Sequence, residues 1–312
     1  MPDILLHLLP HIAAALLYAG LGYYFWRTRW NDTGKPLDPL PMQAWERGAI
    51  VVALFLHGSG LYEELFSSGG LRFSFSLAAS LMLWLAVLIY WLESFRSRMD
   101  GMQPMVLPLA AIAAALPVAF SQTHEIIHAQ ALGFKMHFLA AMLAYSLFTL
   151  SALNAVFMGF IERKLHHRTF SRHQASLPSI LAMESLLFRL IGLAFLLLTM
   201  TLISGLAFSE QIFGKALVFD HKTLFGVASW IIFAALLVGR HNYGWRGKVA
   251  LRWTLAGFFL LILAYIGARF VLEVLPGRAW NHETLRLSHV QATGRNSTSA
   301  VFTNTEHDIS SI

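Results

Sequence analysis

The 312-residue chain is 56% hydrophobic and 13% charged, whereas soluble domains carry about a quarter charged residues, so a soluble globular protein is excluded. Its apolar residues fall in runs of about 20, long enough to cross about 30 Å of hydrocarbon, and lack the short alternating segments of a membrane β-barrel. The formal charge of +6 sits mostly in short connections, not on a soluble basic face, which argues against a nucleic-acid partner; with no cysteines, the chain cannot form a disulfide or exchange thiols itself.

The pattern predicts an all-α, polytopic transmembrane helix bundle of about eight spans, with membrane lipid around it. In chain order the spans fall at about 4–26, 48–66, 73–93, 105–120, 137–160, 185–207, 222–239 and 251–273. The fourth is short and the second carries glycine and polar residues, so a count of seven stays open. Asp3 precedes the first span without a basic segment or a small-residue cleavage site, so no cleavable signal is expected. Pro36, Pro39 and Pro41 make the connection after span 1 a loop. The long basic connection 161–184 is expected to lie partly on the membrane surface. Residues 1–276 are read as one membrane domain and 277–312 as a polar, largely disordered tail.

Lys and Arg set the orientation. Arg27, Arg29, Lys35 and Arg47 follow span 1; Arg96 and Arg98 follow span 3; Arg163, Lys164, Arg168 and Arg172 follow span 5; Arg240, Arg246, Lys248 and Arg252 follow span 7. The alternate connections hold Arg72, Lys135, Lys215 and Lys222. This asymmetry predicts both termini outside, which is the periplasm if the source is a Gram-negative bacterium, and a multi-pass protein of the inner membrane is then expected.

Fourteen histidines are many for such a chain. His166, His167, His173 and His241 fall on the inner side by this topology. His7, His11, His57, His124, His128, His137 and His221 fall in the outer half or the outer loops. Imidazole ligates haem iron, and an ionisable group within a span is a functional candidate by default. His57 sits within span 2 and reads either as a histidine bonded inside the bundle or as a ligand or proton-relay group. His137 opens span 5 and reads from position as an interfacial residue. His221 follows Asp220, a natural helix cap that also has the chemistry to orient a metal-bound imidazole. His124-Glu125-Ile126-Ile127-His128 fits the zinc-protease pattern, but its outer loop is too short for a soluble protease domain. Ordinary loop histidines are the reading there, with a haem or metal contact as the alternative.

Phe213-Gly214-Lys215-Ala216-Leu217-Val218-Phe219-Asp220-His221-Lys222 resembles the tryptophan-rich "WWD" loop of the cytochrome c assembly and haem-handling membrane proteins. In that family the loop reads roughly W-G-x-x-W-x-W-D-P-K; here the Gly, Asp and Lys positions match, while Phe213, Leu217 and Phe219 replace Trp. Phe225-Gly226-Val227-Ala228-Ser229-Trp230, the Gly244-Trp245-Arg246-Gly247 turn and Ala264-Tyr265-Ile266-Gly267-Ala268-Arg269-Phe270 extend the resemblance over about residues 45–275. The chain looks closest to the small YpjD/HemX-like inner-membrane branch.

The resemblance implies a haem-handling or cytochrome c assembly factor that binds or presents b-type, non-covalent haem at the outer face. His137 and His57 are its implied axial and metal ligands. Phe213, Gly214, Phe219, Asp220 and His221 would cover the porphyrin, and Arg269, Lys215 or Lys222 would meet a propionate. The partners implied are haem and an apocytochrome c or other assembly proteins. Loss of the Trp positions, and Val238 where full synthetases often carry His, argue against synthetase activity, so no catalytic residue is assigned. The alternatives are a haem-free membrane scaffold that kept the fold, and a transporter. The absence of an inverted repeat speaks against the transporter.

Overall fold

The computed structural model describes residues 2–30, 42–66, 72–96, 101–120, 124–125, 132–166, 180–213 and 221–274. Eight helices follow one another: α1 (Pro2–Phe25), α2 (Ala44–Phe66), α3 (Phe75–Glu93), α4 (Gln103–Ala119), α5 (Leu132–His166), α6 (Ile180–Phe213), α7 (His221–Tyr243) and α8 (Lys248–Val274). Trp26–Trp30 extends α1 as a π-helical turn. Arg72–Phe73 (β1) and His124–Glu125 (β2) pair antiparallel, the one strand pairing among the described residues.

The helices form two rings of four. In the first, α1 packs on α2 and α4, and α3 closes the ring against the same two helices. In the second, α5 packs on α6 and α8, and α7 closes the ring against those. Contacts between α3 and α5 join the rings. Phe148 of α5 stacks on Phe233 of α7 with centroids 4.0 Å apart, at the centre of the second ring. Ser229 donates to the Gly257 carbonyl at 2.9 Å, which ties α7 to α8.

Seven of the helices are long and apolar enough to span a bilayer; α4, at 17 residues, falls short of that length. It nevertheless runs the full depth of its ring. At one end Trp30 donates its indole N–H to the Gly101 carbonyl just before α4, at 2.9 Å. At the other, Ser76 in the first turn of α3 donates to the Phe120 carbonyl at 2.8 Å. Close packing explains how so short a helix fits: a Cβ on Gly22 of α1 would lie 3.0 Å from the Pro108 ring. The described residues therefore form eight helices, seven of them long enough to span a bilayer, which fits the seven or eight that the hydropathy pattern predicts.

Local chemistry sets the helix ends. Glu46, at the third position of α2, accepts from the backbone N–H of Gln43 at 2.8 Å, half of a capping box. Ser74 accepts from Leu77 N–H at 3.2 Å and caps α3. The predicted Gly-Trp-Arg-Gly turn is present: Gly244 at φ 64° ends α7 and Gly247 at φ 55° precedes α8, conformations that glycine adopts without a Cβ penalty. Gly247 N–H donates to Glu184 of α6 at 2.7 Å.

Ion pairs gather at the end that carries the connections after α1, α3, α5 and α7. Arg29 meets buried Glu46 at 3.1 Å, Lys248 meets Glu162 at 3.6 Å, and Arg189 pairs with Glu93. Arg47 lies over the Phe95 ring at 4.4 Å. These pairs stitch each ring at the end that the Lys/Arg asymmetry marks as basic.

Several helices outrun their predicted bounds. α5 starts at Leu132, so His137 lies inside its second turn and does not open it. α6 runs to Phe213, so the first residue of the WWD-like segment is helical. The tail, and the middle of the connection 161–184, lie outside the described residues.

Candidate functional site

His137 and its neighbours occupy the end of the second ring opposite the ion pairs. His137 Nδ1 lies 2.7 Å from the Ser204 hydroxyl of α6. Gly205 follows, and a Cβ there would sit 3.5 Å from His137 Cε1, so the imidazole rests against this small-residue stretch. Ser204 is less than three turns before Phe213, where α6 gives way to the WWD-like segment. On α5, Phe134 stacks on Phe138 (centroids 6.5 Å apart); across the helices, Phe75 stacks on Tyr265 (5.4 Å) and Tyr145 meets Tyr265 at 5.8 Å. Tyr265 donates its hydroxyl to the Phe75 carbonyl at 3.1 Å, which pins α8 to the start of α3.

His57 lies in the first ring, fully buried. Its Nε2 is 2.8 Å from the Ser80 hydroxyl of α3. Its ring meets His11 and Tyr18, both on α1 and both fully buried, edge-on at 6.1 and 5.8 Å. His11 reaches Glu64 at 3.5 Å, and α2 admits it by offering Gly60, where a Cβ would lie 2.8 Å from His11 Nε2. Trp84 of α3 donates to the Leu54 carbonyl at 2.8 Å and covers Gly58. His57 Nδ1, His11 Nδ1 and the Tyr18 hydroxyl lack a hydrogen-bond partner among the described residues. So much unpaired buried polarity is unusual in a native interior.

The sequence candidates therefore divide. His57 has its partners on α1 and α3, whereas His137 has Ser204 on α6. His221 is the first residue of α7, and Arg269 lies toward the end of α8. The side chains of Phe213, His221 and Arg269, together with Gly214, Phe219 and Asp220 entire, lie outside the described residues. His124 and Glu125 are in extended backbone paired to Phe73 and Arg72. The zinc-protease pattern needs these residues on a helix turn, so the structure does not support that reading. Among the described residues, no three His, Asp or Glu side chains gather as a metal site.

Reading the sequence alone did not single out His11, Tyr18, Ser80 or Ser204. One signal was available for the first two: His11 and Tyr18 are seven residues apart, two turns on one face, with Ala14 between them and all three buried. Nothing in the order of residues pairs Ser204 with His137, since that contact crosses two helices.

Over residues 49–275 the chain matches the family described as Cytochrome C assembly protein. It belongs to that family. Among curated relatives it is similar to the inner membrane protein YpjD of Escherichia coli (strain K12), 27% identical over 237 residues, which cover 74% of this chain and 89% of that protein. An uncharacterized 28.8 kDa protein of Azospirillum brasilense is 29% identical over 205 residues, covering 65% of this chain and 74% of that one. The cytochrome c biogenesis protein CcsA of Heterosigma akashiwo is 27% identical over 224 residues, covering 60% and 70%. With its apolar helices, this cytochrome c assembly protein is a multi-pass protein of the inner membrane. The matched segment begins at residue 49, so α1, which supplies His11 and Tyr18, lies outside it.

Proposed function

We propose that this family member binds or presents b-type, non-covalent haem at the outer face of the inner membrane, in service of an apocytochrome c or of other assembly proteins. The bundle is oriented with its ion-paired end in the cytoplasm and both termini outside, because the Lys and Arg residues concentrate at that end. One observation carries the reading: His137 is held against α6 by Ser204 at 2.7 Å, at the outward end and close to where the WWD-like segment departs. A neutral imidazole oriented by a hydrogen bond on one nitrogen suits an axial ligand.

Haem supplies the iron and the flat porphyrin; the chain's residues hold and orient it. His137 would hold the iron through a ring nitrogen. Phe213, Gly214, Phe219, Asp220 and His221 would cover the porphyrin, and Arg269, Lys215 or Lys222 would meet the propionates. Phe75, Tyr145, Tyr265 and Phe138 would offer apolar surface. His57, in the first ring with Nε2 against Ser80, is the second proposed ligand.

Oxidised and reduced visible spectra of protein purified in mild detergent, after expression with ample haem, test the proposal. Wild type is expected to show a Soret band that His137→Ala removes, and His57→Ala reports whether the first ring holds haem as well. A colourless wild type that still co-purifies with partner proteins would establish instead the haem-free scaffold, which the replacement of the loop tryptophans favours.

A further inference from the structure

Inside the first ring, the Tyr18 hydroxyl on α1 and His57 Nδ1 on α2 each lack a hydrogen-bond partner among the described residues. Both side chains are fully buried. Their rings meet edge-on with centroids 5.8 Å apart, so the two polar groups are neighbours. A buried polar group without a partner costs free energy, and hydrocarbon around the bundle has none to offer. Ser80 does not supply the missing bond. It meets the other nitrogen, Nε2, at 2.8 Å, and whichever of the two donates there, Nδ1 still calls for a partner.

The surroundings narrow what that partner is. His11 closes on His57 from α1 at 6.1 Å. Its approach needs Gly60, where a Cβ would lie 2.8 Å from His11 Nε2. Trp84 closes on Gly58, where a Cβ would lie 3.1 Å from its ring. Packing this close selects a small ligand. The chemistry asks for one that both donates and accepts, because a phenol does both and a neutral imidazole nitrogen does one or the other according to tautomer. Water meets both demands.

We propose that the first ring of the haem-free protein holds ordered water shared by the Tyr18 hydroxyl and His57 Nδ1. A buried water needs about two to four polar partners, and these residues supply two from two different helices. The water therefore ties α1 to α2 within the membrane. The inference stands apart from the haem reading.

X-ray radiolytic hydroxyl labelling, read residue by residue by mass spectrometry, reports water bound beside a buried side chain. The sample is full-length protein expressed without added haem and purified in mild detergent. Tyr18 and His57 are expected to be labelled despite full burial. Phe148 and Phe233, fully buried in the second ring, are the dry reference and are expected to stay unlabelled. Tyr18→Phe keeps the ring and removes one partner of the water. It is expected to lose most of the labelling at His57 and to melt at a lower temperature than wild type. A hydroxyl without any partner would give the opposite sign, since its removal relieves an unpaired buried group. Labelling at Tyr18 and His57 no greater than at Phe148 overturns the proposal. So does unchanged His57 labelling in Tyr18→Phe, or a melting temperature of that variant equal to or above wild type.

Discussion

Glu46→Ala is expected to lower stability by about 3–5 kcal/mol, the range for removing one partner of a buried ion pair. Glu46 is 3% exposed and does two jobs with one carboxylate oxygen. It meets Arg29 at 3.1 Å and accepts from Gln43 N–H at 2.8 Å. The first links the end of the α1 extension to α2; the second closes the first turn of α2. Alanine removes both and leaves Arg29, only 13% exposed, without that carboxylate. Thermal unfolding in detergent checks this. Glu46→Gln keeps an acceptor for Gln43 and is expected to fall between alanine and wild type. Replacing both Arg29 and Glu46 with apolar residues of similar volume is expected to cost less than Glu46→Ala, since no charge is then left behind. A Glu46→Ala protein as stable as wild type would show that the pair is immaterial.

Gly239→Ala is the second large effect. A Cβ at position 239 would lie 2.3–2.8 Å from the Trp245 ring. That ring cannot easily give way: Trp245 packs on Trp253 at 5.2 Å, its backbone N–H donates to the Gly239 carbonyl at 3.2 Å, and Arg240 donates to its backbone carbonyl at 3.3 Å. Overpacking of this kind costs about 1–3 kcal/mol, occasionally more, and here it would also displace the turn between α7 and α8. Gly48→Ala is the control. Nothing lies within 4 Å of its added Cβ, and alanine within a helix at such a site is neutral to stabilising by about 0.4–1 kcal/mol. Equal melting temperatures for the two variants would contradict the packing argument.

The membrane helices were legible because each is a run of apolar residues, a local property. The fourth was the weakest on that criterion, and the structure explains it: α4 is sheltered by α1 and α3, and its proline ring meets Gly22. The basic end was legible because Lys and Arg cluster in alternate connections. The Gly244-Trp245-Arg246-Gly247 turn was legible because two glycines at positive φ bracket it. The helix ends at Leu132 and Phe213 were missed because polar residues extend a helix beyond the apolar run that marks a span. The His11–His57 contact was hidden for a different reason. It joins residues on separate helices through close approach at Gly60, and hydrophobic periodicity carries no information about which faces of which helices meet. Ser204 was unreadable for the same reason, although His137 itself was singled out by resemblance.

His137 is proposed to hold haem at the outer end of the second ring. The most direct measurement is the haem content, by pyridine haemochrome, of wild type and His137→Ala expressed with excess haem and purified side by side at matched thermal stability. Near-stoichiometric haem in wild type and a severe loss in His137→Ala is the predicted result. Equal haem in the two proteins, or none in wild type, would contradict it.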